Sequence, residues 1–305
     1  MFKLSAKLVH ATNDGVRMAQ RAVRTYTRYA YYSLTDRKGR QISDGSSGHG
    51  MGTYEPKYSL VYNCAEDFVL SQWSDNPVPY AVYRAVVAMY FVFMVFYTAI
   101  MGTLGLKVFI MLTYWSYWLL TMSLILKAAN VWHYIDLKKQ GKDVKEHLGN
   151  SPRIKTQWVL HNLSTGAAPI VTILYWTIAY DGSGFTFINC NTHGFNAMFA
   201  LVDMFVTRMP IRHLHLYHGI LYGMTYGSFS YFYWLAGGTN QFGEPYIYKP
   251  LNYGKAPGVA LSYIITIGFV VAPMFHSMMF FTYRFRVFIH RFLKAMDKRN
   301  TIGKE

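Results

Sequence analysis

The chain has 305 residues; 52% are hydrophobic, 18% aromatic and only 15% charged, and the net charge is +15. Soluble domains carry about 25% charged residues, so this composition points to a membrane rather than to an ordinary soluble fold. The charge lies between the apolar runs and not within them, which argues against a nucleic-acid binder, and two cysteines cannot build a disulfide framework.

In residues 1–30, Lys3, Lys7, His10, Asp14, Arg17, Arg21, Arg24 and Arg28 recur every three or four positions beside an apolar stripe of Phe2, Val9, Val16, Ala19, Val23 and Tyr26. The spacing predicts a basic amphipathic helix. Three readings stay open: a helix lying on an anionic membrane face, a mitochondrial presequence, or a solvated helix docked on a partner. The expectation is an arm kept as structure and docked on membrane or partner. Residues 36–57 lose periodicity, are rich in Gly and Ser, and read as a loop without the Gly-Lys-Ser/Thr of a phosphate loop.

Six apolar runs follow, at about 80–104, 107–128, 157–179, 190–208, 213–236 and 257–281. Each is near the ~20 residues that cross a bilayer. The expected fold is therefore all-α, a polytopic bundle of six transmembrane helices. Its divisions are a basic arm (1–30), a loop-rich inside segment (31–79), the six-helix domain (80–281) and a basic C-terminal tail (282–305). An even number of spans puts both termini on one side. That side receives all Lys and Arg except Lys107, Lys249 and Lys255, a strong positive-inside pattern. The inside is then cytoplasm or mitochondrial matrix. No Asn-x-Ser/Thr sequon falls in an outside loop. With the presequence-like arm, this favours the mitochondrial inner membrane over the plasma membrane or endoplasmic reticulum.

Most spans carry polar stripes. His193, Asn196, Ala200, Asp203 and Thr207 share one helix face; so do Thr113, Ser116, Ser123 and Lys127; so do Asn162, Thr165, Pro169, Thr172 and Trp176. His215, His218, Tyr222 and Thr225 line the fifth run, and Ser262, Thr266, Pro273 and His276 the sixth. Ser and Thr are ordinary interhelical glue. His and Asp are costlier in lipid and must face the interior or a wet cavity.

Topology sorts these residues by depth. Thr113 and His193 fall near the outer leaflet, whereas His161, Asp203, His215, His218 and His276 fall near the inner ends of their spans. A Thr hydroxyl beside a neutral imidazole can act as a nucleophile on an ester. The alternative is a His193 hydrogen-bonded within the bundle. The inner histidines lack the fixed ligand spacing of a zinc site and the mid-membrane pairing of a haem site, so no metal and no cofactor is expected. Asp203 is expected to pair with Arg212 or a neighbouring His and to fix the inner end of the bundle.

The motifs SQW at 71–73 with YR at 83–84, LTYWSYWLL at 112–120, WVLHNL at 158–163, VTILYW at 171–176, THGFN at 192–196 with Asp203 and Pro210, and GGTN followed by YIY within 237–248 come in one order. This order resembles the rolling stone family of multi-pass membrane proteins. LNYGKAPG at 251–258 and the long basic arm depart from that family's pattern. More remotely, the chain is similar to the androgen-induced membrane hydrolases, which use a Thr and a His on separate helices to cleave fatty-acid esters. That resemblance implies Thr113 as nucleophile and His193 as base.

Two functions are thus expected. One is a non-catalytic membrane subunit of a larger assembly, with a lipid-accessible pocket and with membrane lipids and other membrane proteins as partners. The other is an intramembrane lipid-ester hydrolase.

Overall fold

The computed structural model describes residues 58–302 except Asp181, Ser183 and Gly184. The predicted basic arm and the Gly-rich loop before residue 58 lie outside the described residues. Among the described residues the chain is helical, and the only extended pairing is an isolated bridge between Ser71 and Thr207.

Helix α1 (Pro77–Met101) starts where Asn76 accepts the Val78 amide at 3.0 Å and Pro77 presets the first turn. A tight turn at Gly105–Ile110 leads into α2 (Leu112–Lys139). The short α3 (Val144–Leu148) is capped by Asp143, and α4 (Pro152–Leu174) by Ser151. The chain then passes through a π turn at Tyr175–Ala179. It continues as α5 (Phe187–Cys190), a second π turn at Asn191–Phe195, and α6 (Asn196–Val206). Helix α7 (Tyr217–Leu235) precedes α8 (Pro257–Thr266), a third π turn at Ile267–Val271, and α9 (Ala272–Ile302).

All six apolar runs are helical, but among the described residues two stretches are long and apolar enough to cross a membrane by length and composition alone: Pro77–Met101 and the continuous Pro257–Asp297. The others are shortened by π turns or carry polar stripes, which lower their hydropathy. The segment expected as a basic tail is helical to Ile302.

Helix α2 packs between α1 and α4, and α6 closes on α4. Phe91, Met94, Tyr117, Leu120 and Leu124 fill the α1–α2 seam. At the other side of the bundle, Gly219, Gly223 and Gly227 form a stripe along α7. A Cβ on Gly223 would stand 3.3 Å from the Gly268 Cα, and one on Gly227 would stand 2.8 Å from an Ile264 methyl. Small residues here let two helices touch backbone to backbone, the contact that replaces the hydrophobic effect inside a bilayer.

Below the helices, the segment before α1 is bolted on by aromatics. Phe68, Tyr62 and Trp158 meet edge to face at 5.2–5.7 Å, and the Trp158 indole donates to the Pro210 carbonyl at 2.8 Å. Tyr62 donates to Asp67 at 2.8 Å. Burial holds the Asp67 carboxyl above its usual range, and the Tyr62 bond and the charge of Arg208 pull it partly back.

Candidate functional site

The polar stripe of α6 faces inward as its spacing predicts. His193, Asn196, Ala200, Asp203 and Thr207 are all buried. Its inner end is an ion cluster. Arg84 of α1 pairs with Asp203 Oδ1, and Lys127 of α2 reaches Asp203 Oδ2 at 2.7 Å. The Lys127 ammonium also donates to His161 Nδ1 of α4 at 3.0 Å, which places that ring's proton on Nε2. Arg84 bonds the Tyr80 hydroxyl, and Tyr80 donates to Thr207 at 3.2 Å. Arg84, Lys127, His161 and Asp203 are at most 1% exposed. Four helices thus converge on one carboxylate. Arg286 of α9 adds a further buried cation, bonded to the carbonyls of Met204 and of Met209, the latter at 2.8 Å. A cation there complements the negative end of α6.

Of the two partners expected for Asp203, Arg212 is corrected. Arg212 does not pair with it; its guanidinium donates to the carbonyls of Ser59 at 2.7 Å and Val61 at 2.9 Å. Of the histidines, His161 lies nearest, at 4.0 Å. Arg212 sits in the turn before α7, where the Ser59 and Val61 carbonyls hold it. Arg84 and Lys127 project from the spans at the depth of the acid.

His215 and His218 belong to a separate hydrogen-bonded group. Asn162 donates to Nδ1 of His215 at 3.0 Å, and His215 Nε2 donates to the Ser59 carbonyl at 3.1 Å. Asn162 also approaches His218 Nδ1 at 3.5 Å, and His276 Nε2 donates to the Arg212 carbonyl at 2.9 Å. These bonds tie α4, α7 and α9 to the inner segment. Among the described residues no group of three His, Cys, Asp or Glu converges to hold a metal ion.

At the outer end, Thr113 and His193 are both buried but make no hydrogen bond with each other. The Tyr248 hydroxyl accepts the Leu112 amide at 3.0 Å, next to Thr113 in the chain. Ser116 meets the Tyr222 hydroxyl at 3.1 Å. The His193 ring stacks parallel on Tyr175, its carbonyl accepts from the Trp176 indole at 3.0 Å, and its Nδ1 is buried without a protein partner. Asn196 accepts from Thr172 at 3.1 Å. The two helices meet one turn away, where Tyr117 donates to Asn191 at 2.7 Å and Asn191 donates to Tyr90 at 2.5 Å. The THGFN motif is itself most of a π turn, a wide turn that recurs at functional sites.

Sequence reasoning passed over Arg84 and Lys127 as site residues. A signal existed: Asp203 is the one acid in the six apolar runs, and a buried acid requires a cation at its own depth. Asn191 and Tyr117 had no such signal, since a π turn leaves no compositional trace.

A family model described as protein rolling stone matches residues 51–303. Protein rolling stone of Drosophila melanogaster is 26% identical over 257 residues, which cover 81% of this chain and 92% of that protein. No solved structure matches. The family match takes in both ends of the α6 stripe and every helix described above. The chain is a membrane protein and belongs to the rolling stone family.

Proposed function

We propose that this protein is a six-span membrane subunit without catalytic activity of its own, with both termini on the basic face, and that it holds lipid against its α1–α2 side. The observation that supports this reading most is the Asp203 cluster. It spends the strongest interior charges on joining α1, α2, α4 and α6, and it leaves each of them inaccessible. An open groove lined by Ala85, Ala88, Met89, Val92, Ile125 and Ala128 is almost wholly apolar and suits an acyl chain. The basic arm favours the mitochondrial inner membrane as its home. Extraction in mild detergent followed by a native gel tests the reading: a complex larger than one chain is expected, and a lone monomer overturns it. Cell fractionation tests the compartment.

A second reading, an intramembrane ester hydrolase, is favoured by the unpartnered His193 Nδ1 near the helix that carries Thr113. Thr113 would pass its proton to His193 as its oxygen attacks the ester carbonyl. The leaving alcohol would take that proton, and water would then cleave the acyl-threonine. Covalent labelling by a fluorophosphonate probe that disappears in Thr113→Ala supports this reading. An unlabelled parent, or labelling unchanged in the variant, rules it out.

A further inference from the structure

Helices α2, α4 and α6 are tied at two levels, and the layer between those levels is polar. At the inner level Lys127 of α2 meets His161 of α4 at 3.0 Å and Asp203 of α6 at 2.7 Å. At the outer level Thr172 of α4 donates to Asn196 Oδ1 of α6 at 3.1 Å. Steps of three and four residues run from His161 to Thr172, from Asn196 to Asp203 and from Lys127 back to Ser123. These faces therefore look toward one another between the two levels. They carry Ser123, Ser164, Thr165, Ala168 and Ala200, all at most 2% exposed. The larger α2 side chains at this height, Leu120 and Leu124, pack into the α1 seam instead.

Each of the three helices brings to this layer one buried polar atom without a hydrogen-bond partner among the described residues: Ser123 Oγ, His161 Nε2 and Asn196 Nδ2. Two of them must donate. The His161 Nδ1 accepts from Lys127, so Nε2 carries the ring's proton. The Asn196 Oδ1 accepts from Thr172 and from the Ala197 amide, so its Nδ2 is left over. Ser123 stands apart from its neighbours: Thr121, Ser164, Thr165 and Thr172 each return the hydroxyl to a carbonyl of their own helix, and Ser123 does not. Small side chains alone would only let the helices close up. Three unpaired polar groups in one low-dielectric layer are costly, and such groups are ordinarily satisfied by buried water. The neighbouring cluster adds a second reason, since Arg84 and Lys127 face one carboxylate. Ionisable groups inside a membrane bundle pair with each other or border on water.

We propose that ordered water occupies the layer between the two levels, accepting from His161 Nε2 and Asn196 Nδ2 and bonding Ser123 Oγ. The three groups match the roughly three hydrogen bonds that a buried water makes. An acyl chain would leave all three unpaired. The site stands under either reading of function, because it uses neither Thr113 nor the α1–α2 groove.

The test uses the full-length chain in detergent. X-ray radiolysis makes hydroxyl radicals from bound water. It should oxidise His161 at a rate near that of the exposed His147, while Phe91, as deeply buried but in an apolar seam, stays at background. Ser123→Val should fill the layer and suppress oxidation at His161 while leaving His147 unchanged. Ser123→Ala should lower the melting temperature by about 2–4 °C, the equivalent of one lost hydrogen bond in a chain of this size. In a dry layer the same change removes an unpaired hydroxyl and raises the melting temperature, which overturns the proposal. His161 unmodified in the parent, or oxidised equally in Ser123→Val, also overturns it. So does a melting temperature that rises when chloride replaces gluconate, since the layer would then hold an anion.

Discussion

The two ends of α6 solve the same problem differently. At the inner end, a carboxylate is gripped by an arginine and a lysine from two other helices, and a histidine holds the lysine. At the other end, His193 is held by a ring stack and by its own backbone carbonyl, which accepts from the Trp176 indole, with no ion pair. Charge organises one end and shape the other. A buried ion pair is costly to break because the survivor stays in a low dielectric, whereas a stacked neutral ring can be exchanged for one of similar size. The inner end is therefore the lock of the bundle, and the outer end is where polar chemistry can change without unfolding it.

The comparison breaks first at Asp203. Replacement by Asn leaves Arg84 and Lys127 uncompensated and should cost about 3–5 kcal/mol, read as a large drop in melting temperature in detergent or as loss of the protein from membranes. Adding Lys127→Met should recover part of that loss. An Asp203→Asn protein as stable as its parent would mean that the cluster does not close the inner end. His193→Phe keeps the stack on Tyr175 and removes an unmatched nitrogen; it should cost less than about 1.5 kcal/mol. A loss equal to that of Asp203→Asn erases the distinction between the ends.

The smallest effect is expected at Asp67, outside the spans. Its folded-state carboxyl titrates above the ordinary range, so the folded chain takes up a proton before the unfolded one does. Its contribution to stability therefore rises as pH falls through the folded value, and it levels off below the usual carboxylate range. Asp67→Asn, which still accepts from Tyr62, should flatten this part of a melting curve recorded against pH. An identical pH profile would show that the carboxyl is not the titrating group.

Much of this architecture is legible in the residues. Apolar runs of membrane length became helices, and the spacing of His193, Asn196, Asp203 and Thr207 placed them on one buried face. The family, too, could be read from the order of short aromatic motifs. What could not be read depends on distance along the chain or on backbone register. Arg84 and Asp203 lie 119 residues apart, and nothing local joins them. The π turns at 175–179, 191–195 and 267–271 shift helix register without any change in composition. Thr113 and His193 were expected at matching depth, but depth along two helices does not fix the angle at which their side chains meet. Arg212, in the turn after α6, was expected to reach Asp203 and is taken by the carbonyls of a segment that precedes the first helix.

The lone interior acid also sets an order of events during synthesis. Arg84 and Lys127 are made with the first two helices, long before Asp203. At about 5–20 residues per second, the 119-residue gap between Arg84 and its partner corresponds to roughly 6–24 seconds. For Lys127 the gap is 76 residues, and through these two intervals neither cation has Asp203 as its partner. A chain stalled before residue 203 therefore lacks the carboxylate that joins α1 and α2 to α6.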